Sequence, residues 1–194
     1  MSHRSHTLME HLRRTLAARI PDHEPKPSGG TAAVSLVLAP AEQDLELLFI
    51  KRAARDGDPW SGQMALPGGR RDPDDGSLMQ TARREAREET GISLQEEDCL
   101  GSLDDLRPQT PTLPPVTVRP FVFSLPERPG VVLNREATMH VWTSLTVLRA
   151  AQGRTKVHVR GLHLDVDAFL VGPEIIWGMT HRIIMPFLDL VNIE

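Results

Sequence analysis

Apolar residues recur along this chain with two different periods, and the changes of period divide it into elements. Near the start, Leu8, Leu12, Leu16 and Ile20 stand four apart with Arg4, Arg13, Arg14 and Arg19 around them. That spacing predicts an amphipathic helix over residues 5–20. After Pro21, the stretch DHEPKPSGG from Asp22 to Gly30 reads as a polar linker broken by proline and glycine. The pattern then becomes continuous: Thr31 to Ala39 suits a buried strand, and Leu45 to Ile50 supplies a second strand after a polar turn. Residues 1–29 are therefore expected to form a helix and linker, and residues 30–194 one domain.

Helical spacing returns with the row Leu78, Ala82 and Ala86. Ser77 followed by Gln80 has the form of a capping box, so this helix is expected to start at Leu78. Gly91 tolerates a left-handed conformation, so it is expected to stop near Thr90. Beyond it, Leu100 to Leu106 reads as a strand and the proline-rich Pro108 to Pro115 as a surface loop near the cleft. Val116 to Leu125 alternates as a strand, with Pro120 expected at an edge or bulge. Asn134 to Trp142 is a further strand segment, Leu145 to Ala151 a short helix, and Lys156 to Val171 two short alternating runs. Pro173 to Val191 is expected to close the chain as a helix using Ile176, Ile183, Phe187 and Leu190. Strands interleaved with a few helices give an α/β or α+β class.

Composition narrows the partners. Lys+Arg 22 against Asp+Glu 26 gives a formal charge of -4 over 194 residues, so no global basic field suits nucleic acid. The one cysteine, Cys99, forms no internal disulfide and lacks metal-site spacing; it reads as a small residue at a strand start and fits a reducing cytoplasm. No apolar run approaches the roughly 20 residues that span a bilayer, and MSHRSHTLMEHLRR is too polar for a secretory leader. The expectation is a cytoplasmic protein acting on neither nucleic acid nor membrane. The N-terminal helix is expected to pack on its own domain or on a second copy, as in a homodimer.

The candidate chemistry lies between Pro67 and Ile92. Glu85, Glu88 and Glu89 fall at i, i+3 and i+4 and share a helix face, an arrangement that disfavours the helix by a few tenths of a kcal/mol per pair, roughly. Two readings stand: a solvated acidic face paired with Arg84 and Arg87, or carboxylates gathered around a hard divalent cation. Gly68 and Gly69, stiffened by Pro67, allow close approach of backbone to a ligand. Lys51, Arg52 and Arg55 follow the second strand and either reach substrate phosphates or mark a wet strand end. Trp60 either stacks on a base or packs, with packing favoured for a lone tryptophan. His158 and His163 read as solvent-facing strand positions.

The run Arg84-Glu85-Ala86-Arg87-Glu88-Glu89-Thr90-Gly91-Ile92 resembles the second half of the Nudix signature, G-x5-E-x7-R-E-U-x-E-E-x-G-U, where U is aliphatic. The first half departs from it: one extra residue separates Gly69 from Arg84, and Gly76 stands where a glutamate is usual. The segment Pro67 to Asp75 (PGGRRDPDD), with the tail Ile176 to Thr180, is similar to the coenzyme A pyrophosphatase branch, whose upstream motif is met only in part, by Leu47, Leu48, Arg52, Arg55 and Gly62. The resemblance spans about residues 30–190 and implies a Nudix-type α/β/α sandwich with a mixed sheet between helices. It implies Mg²⁺ or Mn²⁺ held by Glu88 and Glu89, by Glu85 directly or through water, and by the Gly68 carbonyl. Arg84 would orient the glutamates. Glu136 is the reserve general base beside a box glutamate, and Asp75 a replacement for the absent one. Arg52, Gly69, Arg70 and Arg71 would bind substrate. The implied reaction is hydrolysis of coenzyme A to 4′-phosphopantetheine and adenosine 3′,5′-bisphosphate, with ADP-ribose, dinucleotides, oxidised nucleoside triphosphates or a non-catalytic binding module as alternatives.

Overall fold

The computed structural model describes residues 3–23, 30–58, 60–108, 115–159 and 161–191. Its centre is the first apolar run, strand β1 (Gly30–Pro40). This strand pairs in parallel with β6 (Val116–Ser124), from Gly30 opposite Val116 to Leu38 opposite Ser124. Its other edge is shared: β2 (Leu45–Arg52) pairs antiparallel with its end, and β4 (Gly68–Arg70) with its beginning, Ala33 opposite Gly69. β3 (Met64–Ala65) and β7 (Ala137–Ser144) both pair with β2, and β5 (Cys99–Ser102) pairs with β6. A smaller sheet holds β8 (Gln152–Val159), β9 (Leu162–Val171) and β10 (Glu174–Trp177) in the order β10-β9-β8.

Alternation along β1 decides what covers each face. Ala33, Val37 and Ala39 pack with Ala82 and Ala86 of helix α2 (Leu78–Thr90), together with Phe123 and Trp142. Leu36 and Leu38 point the opposite way, into a second core built with helices α1 (His3–Ala18) and α4 (Gly178–Leu190). Short helix α3 (Leu145–Ala150) adds Leu145 and Leu148 to that core. The result is a mixed sheet between helices, an α/β/α sandwich.

The N-terminal helix is part of this core. Leu12 is wholly buried and Leu16 is 4% exposed, and each such leucine contributes about 1.5–3 kcal/mol as an upper bound. Ile20, the fourth member of the expected row, lies past the helix end and is 94% exposed. Arg19 instead ties the chain to Asp104. Among the described residues no helix is long and apolar enough to cross a membrane.

Three expectations need correction. The strand read over 100–106 ends at Ser102; Leu106 makes only an isolated bridge to Val118. Pro120 lies in an interior strand, between β1 and the end of β5, not at an edge. Its carbonyl accepts from Leu103 N, so its missing N–H also falls on the side where β5 has already ended. The closing helix starts at Gly178: Glu174–Trp177 is a strand, with Ile176 opposite Phe169, and Gly178 at φ 64° turns the chain into α4. The β-branched pair Ile175-Ile176 favours that extended form. Six residues of the proline-rich loop, 109–114, lie outside the described residues.

Candidate active site

Helix α2 is fixed at both ends by the signals in its sequence. Ser77 Oγ accepts from Gln80 N at 3.2 Å, and Gly91 has φ 72° with its N–H donating to the Arg87 carbonyl. Gln80 Oε1 reaches back to Gly76 N at 2.6 Å, one residue before the N-cap. With its apolar row on the sheet, the helix turns Glu85 and Glu89 toward β4. Glu89 is 2% exposed, and Gly68 N–H donates to its Oε2 at 2.9 Å. Burial pushes the Glu89 carboxyl up to about 7, against the pull of that N–H and with help from the Glu85 charge. Glu85 is also raised by burial, opposed by its bond to Arg84.

Arg84 connects the acidic residues. Its Nη1 donates to Glu85 Oε1 at 2.8 Å and Glu88 Oε2 at 3.2 Å, and its Nη2 to the Arg70 carbonyl at 3.1 Å. Nε and Nη2 also bond Asp75 at 3.1 and 3.0 Å. Asp75 is 7% exposed, and its Oδ2 further accepts from Asp72 N and Thr81 Oγ1, both at 2.9 Å. The Arg84 hydrogen bonds hold the Asp75 carboxyl down at about 2. Asp75, the last aspartate of that run, thus supplies the acidic partner that Gly76 lacks.

The glycines have separate constraints. A Cβ at Gly69 would stand 2.5 Å from the Glu85 carboxyl, and one at Gly68 would press within 2.7 Å on the Val34 backbone. Gly69→Ala is therefore expected to lower activity by displacing a side-chain tip while leaving the melting temperature nearly unchanged. Gly68→Ala moves backbone and is expected to cost about 1–3 kcal/mol of stability. Thermal melts of the two variants, read beside their rates, check this; equal melts for both would refute it.

The other candidate residues are distributed around this centre. Arg52 Nη2 bonds Asp58 Oδ2 at 2.8 Å, whose Oδ1 accepts from Trp60 N. Arg55 Nη2 bonds Glu136 Oε1 at 3.0 Å, and the Glu136 charge adds to those raising Glu85 and Glu89. Arg70 is exposed and packs over Gly30, and Arg71 donates from Nε and Nη2 to the Asp75 carbonyl. The site gathers Glu85, Glu88, Glu89, Arg84, Gly68 and Gly69, with Glu136 at its border; Arg71 is turned to its own loop. In DGDPWSGQ Asp58 reads as a turn residue, and only the fold brings it to Arg52. Trp177 likewise had no signal beyond its place in the tail motif. His158 and His163 form an exposed cross-strand pair with ring centroids 4.8 Å apart.

Among the described residues no three Asp, Glu, His or Cys side chains are already arranged around an ion, since Glu85 and Glu88 face Arg84 and Glu89 faces Gly68. The donor set nevertheless fits a hard cation. Hard cations take oxygen ligands, Mg²⁺ commonly one or two carboxylates plus substrate phosphates, and buried carboxylates that resist ionisation are stabilised by one.

The NUDIX domain profile matches residues 30–160, and the chain belongs to the Nudix family, a class of pyrophosphatases that generally need divalent metal ions. It is 32% identical to the human mitochondrial coenzyme A diphosphatase NUDT8 over 175 residues, covering 87% of this chain and 71% of that protein. It is 33% identical to the Nudix hydrolase NudL of Yersinia pestis (strain Pestoides F), covering 75% and 73%. An uncharacterized fission yeast protein, C14C4.10c, is 37% identical over 118 residues, 58% of this chain but only 36% of the yeast protein. Among solved structures, a MutT/nudix family protein from Enterococcus faecalis superposes with a TM-score of 0.58 at 20% identity, over 91% of this chain and 66% of that one. It supports the fold alone.

Proposed function

We propose that this chain hydrolyses the diphosphate of coenzyme A to 4′-phosphopantetheine and adenosine 3′,5′-bisphosphate. Glu85, Glu88 and Glu89 would hold Mg²⁺ or Mn²⁺, with Gly68 beside them. The observation that carries the catalytic reading is the pair of carboxylates, half-buried Glu85 and buried Glu89, set against the glycines of β4. The similarity to a coenzyme A diphosphatase over most of both chains supports the substrate.

Diphosphate hydrolysis depends chiefly on positioning and charge neutralisation. When bound, the divalent ion supplies neutralising charge to the phosphates and activates water. Arg84 aligns Glu85 and Glu88, and the Gly68 N–H orients Glu89. Arg52 and Arg70, which line a cavity with Gly68, would bind phosphate oxygens. Glu136, released from Arg55, would accept the proton of the attacking water.

Incubating the protein with coenzyme A, ADP-ribose, a dinucleotide and 8-oxo-dGTP, with Mg²⁺ or Mn²⁺, and identifying products by mass spectrometry tests this. Coenzyme A should yield phosphopantetheine, and Glu88→Gln, which removes the charge of a proposed metal ligand, should slow the reaction at least about tenfold. Cleavage of another substrate in preference would remove coenzyme A. Turnover without divalent ions would remove the metal role.

A further inference from the structure

A cavity of about 360 Å³ opens on the face of the sheet opposite α2. Ala32 and Val34 of β1 line it, while Ala33 between them faces α2. Gly68 belongs to both places: it lines the cavity, and its N–H donates to Glu89. A ligand crossing the strand edge at Gly68 would therefore have its phosphates by the carboxylates and its organic part in this cavity. That volume lies within the roughly 300–1,000 Å³ of small-molecule sites.

The lining is selective in composition. The chain has three tryptophans and no tyrosine, yet Trp60 and Trp177 both border this one cavity, with Met64, Met179, Val116 and Val118. Its charged groups are Arg52, Asp58 and Arg70. The Asp58 carboxylate bonds both the Arg52 guanidinium and Trp60 N, fixing the loop tryptophan relative to the arginine. Among the described residues Arg52 Nε is buried without an acceptor, so the Asp58 carboxylate satisfies the guanidinium only in part.

We propose that this cavity binds the nucleobase half of the substrate, with Trp60 and Trp177 as its aromatic walls and Arg52 at its phosphate end. A base has apolar faces that stack on indole and on polarizable thioethers. A pantetheine arm carries amides along its length, each needing a partner, and beside the tryptophan, methionine and valine walls the uncharged polar side chains of the lining are Gln63 and Thr180, the latter already donating to the Met64 carbonyl. This assignment rests on the acidic face of α2 being the diphosphate site, but not on coenzyme A being the substrate.

Intrinsic fluorescence tests it directly, because indole emission reports stacking. Adenosine 3′,5′-bisphosphate should quench the wild-type protein and 4′-phosphopantetheine should neither quench nor compete. Trp177→Phe and Trp60→Leu should each weaken nucleotide binding, with Trp60→Leu raising the KM for coenzyme A on the order of tenfold and more than it lowers kcat. Trp142, buried beside Arg128, remains as an internal emission reference in both variants. If phosphopantetheine competes and its binding is lost in the variants, the cavity holds the other half and the proposal falls. Bisphosphate binding that is unchanged in both variants, or absent while coenzyme A is hydrolysed, also overturns it. If coenzyme A is not a substrate but 5′-AMP quenches through the same two tryptophans, the base site stands and the substrate reading alone is lost.

Discussion

Glu89→Gln is expected to lower kcat/KM by at least about a hundredfold, some 3 kcal/mol of barrier, while making the metal-free protein more stable above neutral pH. The two effects have one cause. Glu89 is nearly inaccessible and has one backbone donor, Gly68 N–H, in place of a cation, so its carboxyl is pushed from 4.5 to about 7. The native state then binds more protons than the unfolded state between these values, and stability falls as pH rises through that window. The contribution is fully present below about 4.5 and lost above about 7, amounting to about 3 kcal/mol. Glutamine keeps an oxygen for Gly68 N–H and carries no charge to desolvate. The difference in melting temperature between variant and wild type should therefore grow from pH 5 to pH 8 in the presence of chelator. Taking the difference matters, because His181, lowered by burial, contributes with opposite sign in the same range. Excess Mg²⁺ should raise the wild-type melting temperature more at pH 8 than at pH 5, and should do little for the variant. A difference independent of pH would show that Glu89 ionises normally in the fold.

Much of this architecture is legible in the sequence because it depends on local chemistry. The α2 boundaries follow from Ser77 and Gly91, whose cap bonds lie within four residues. β1 and β2 follow from short continuous apolar runs of the kind that suit a buried strand. The acidic face follows from spacing alone, and the Nudix resemblance adds the reason for it. What escaped reading was set by long-range pairing. Nothing near Arg55 announces Glu136, 81 residues away, and Arg52 meets Asp58 only because the connection to β3 folds back. Ile176, Ile183 and Phe187 show no marked break in apolar spacing and so suggest one helix, but pairing with β9 overrides that pattern and makes Glu174–Trp177 a strand. Pro120 suggests an edge or bulge because of its missing donor, but an interior strand tolerates it where the neighbouring strand has stopped.

The departures from the family signature are resolved by the same loop that carries them. The extra residue between Gly69 and Arg84 allows the chain to turn through Asp72 and Asp75, the latter's N–H bonding the Asp72 carbonyl at 3.0 Å. Arg71 closes the turn by donating twice to the Asp75 carbonyl. A short aspartate at position 75, held within a tight turn, thus faces Arg84 where Gly76 can offer nothing.

Asp75→Asn is accordingly expected to damage both stability and catalysis although it removes one charge and no volume. Asp75 Oδ1 accepts from Arg84 Nε, while Oδ2 accepts from Arg84 Nη2, Asp72 N and Thr81 Oγ1. An asparagine amide must turn its NH₂ toward one of these sets of donors, so at least one contact becomes donor against donor whichever way it is flipped. Losing charge-assisted bonds at a buried acceptor costs about 1.5–3 kcal/mol. The Asp75 carboxyl, held at about 2, contributes stability above the ordinary carboxylate range that is lost as pH falls from about 4 toward 2, so the variant should lack that part of the acid transition. Catalysis suffers separately. Without Asp75, Arg84 retains only Glu85, Glu88 and the Arg70 carbonyl as partners, and a guanidinium held more tightly by the two carboxylates competes with the metal. The activity should fall by about 10–100-fold, as for a displaced outer-shell partner, and the Mg²⁺ concentration giving half-maximal rate should rise. Partial recovery of rate at high Mg²⁺ would separate this effect from simple unfolding. A variant with wild-type melting behaviour and an unshifted metal titration would show that Asp75 anchors nothing the reaction needs.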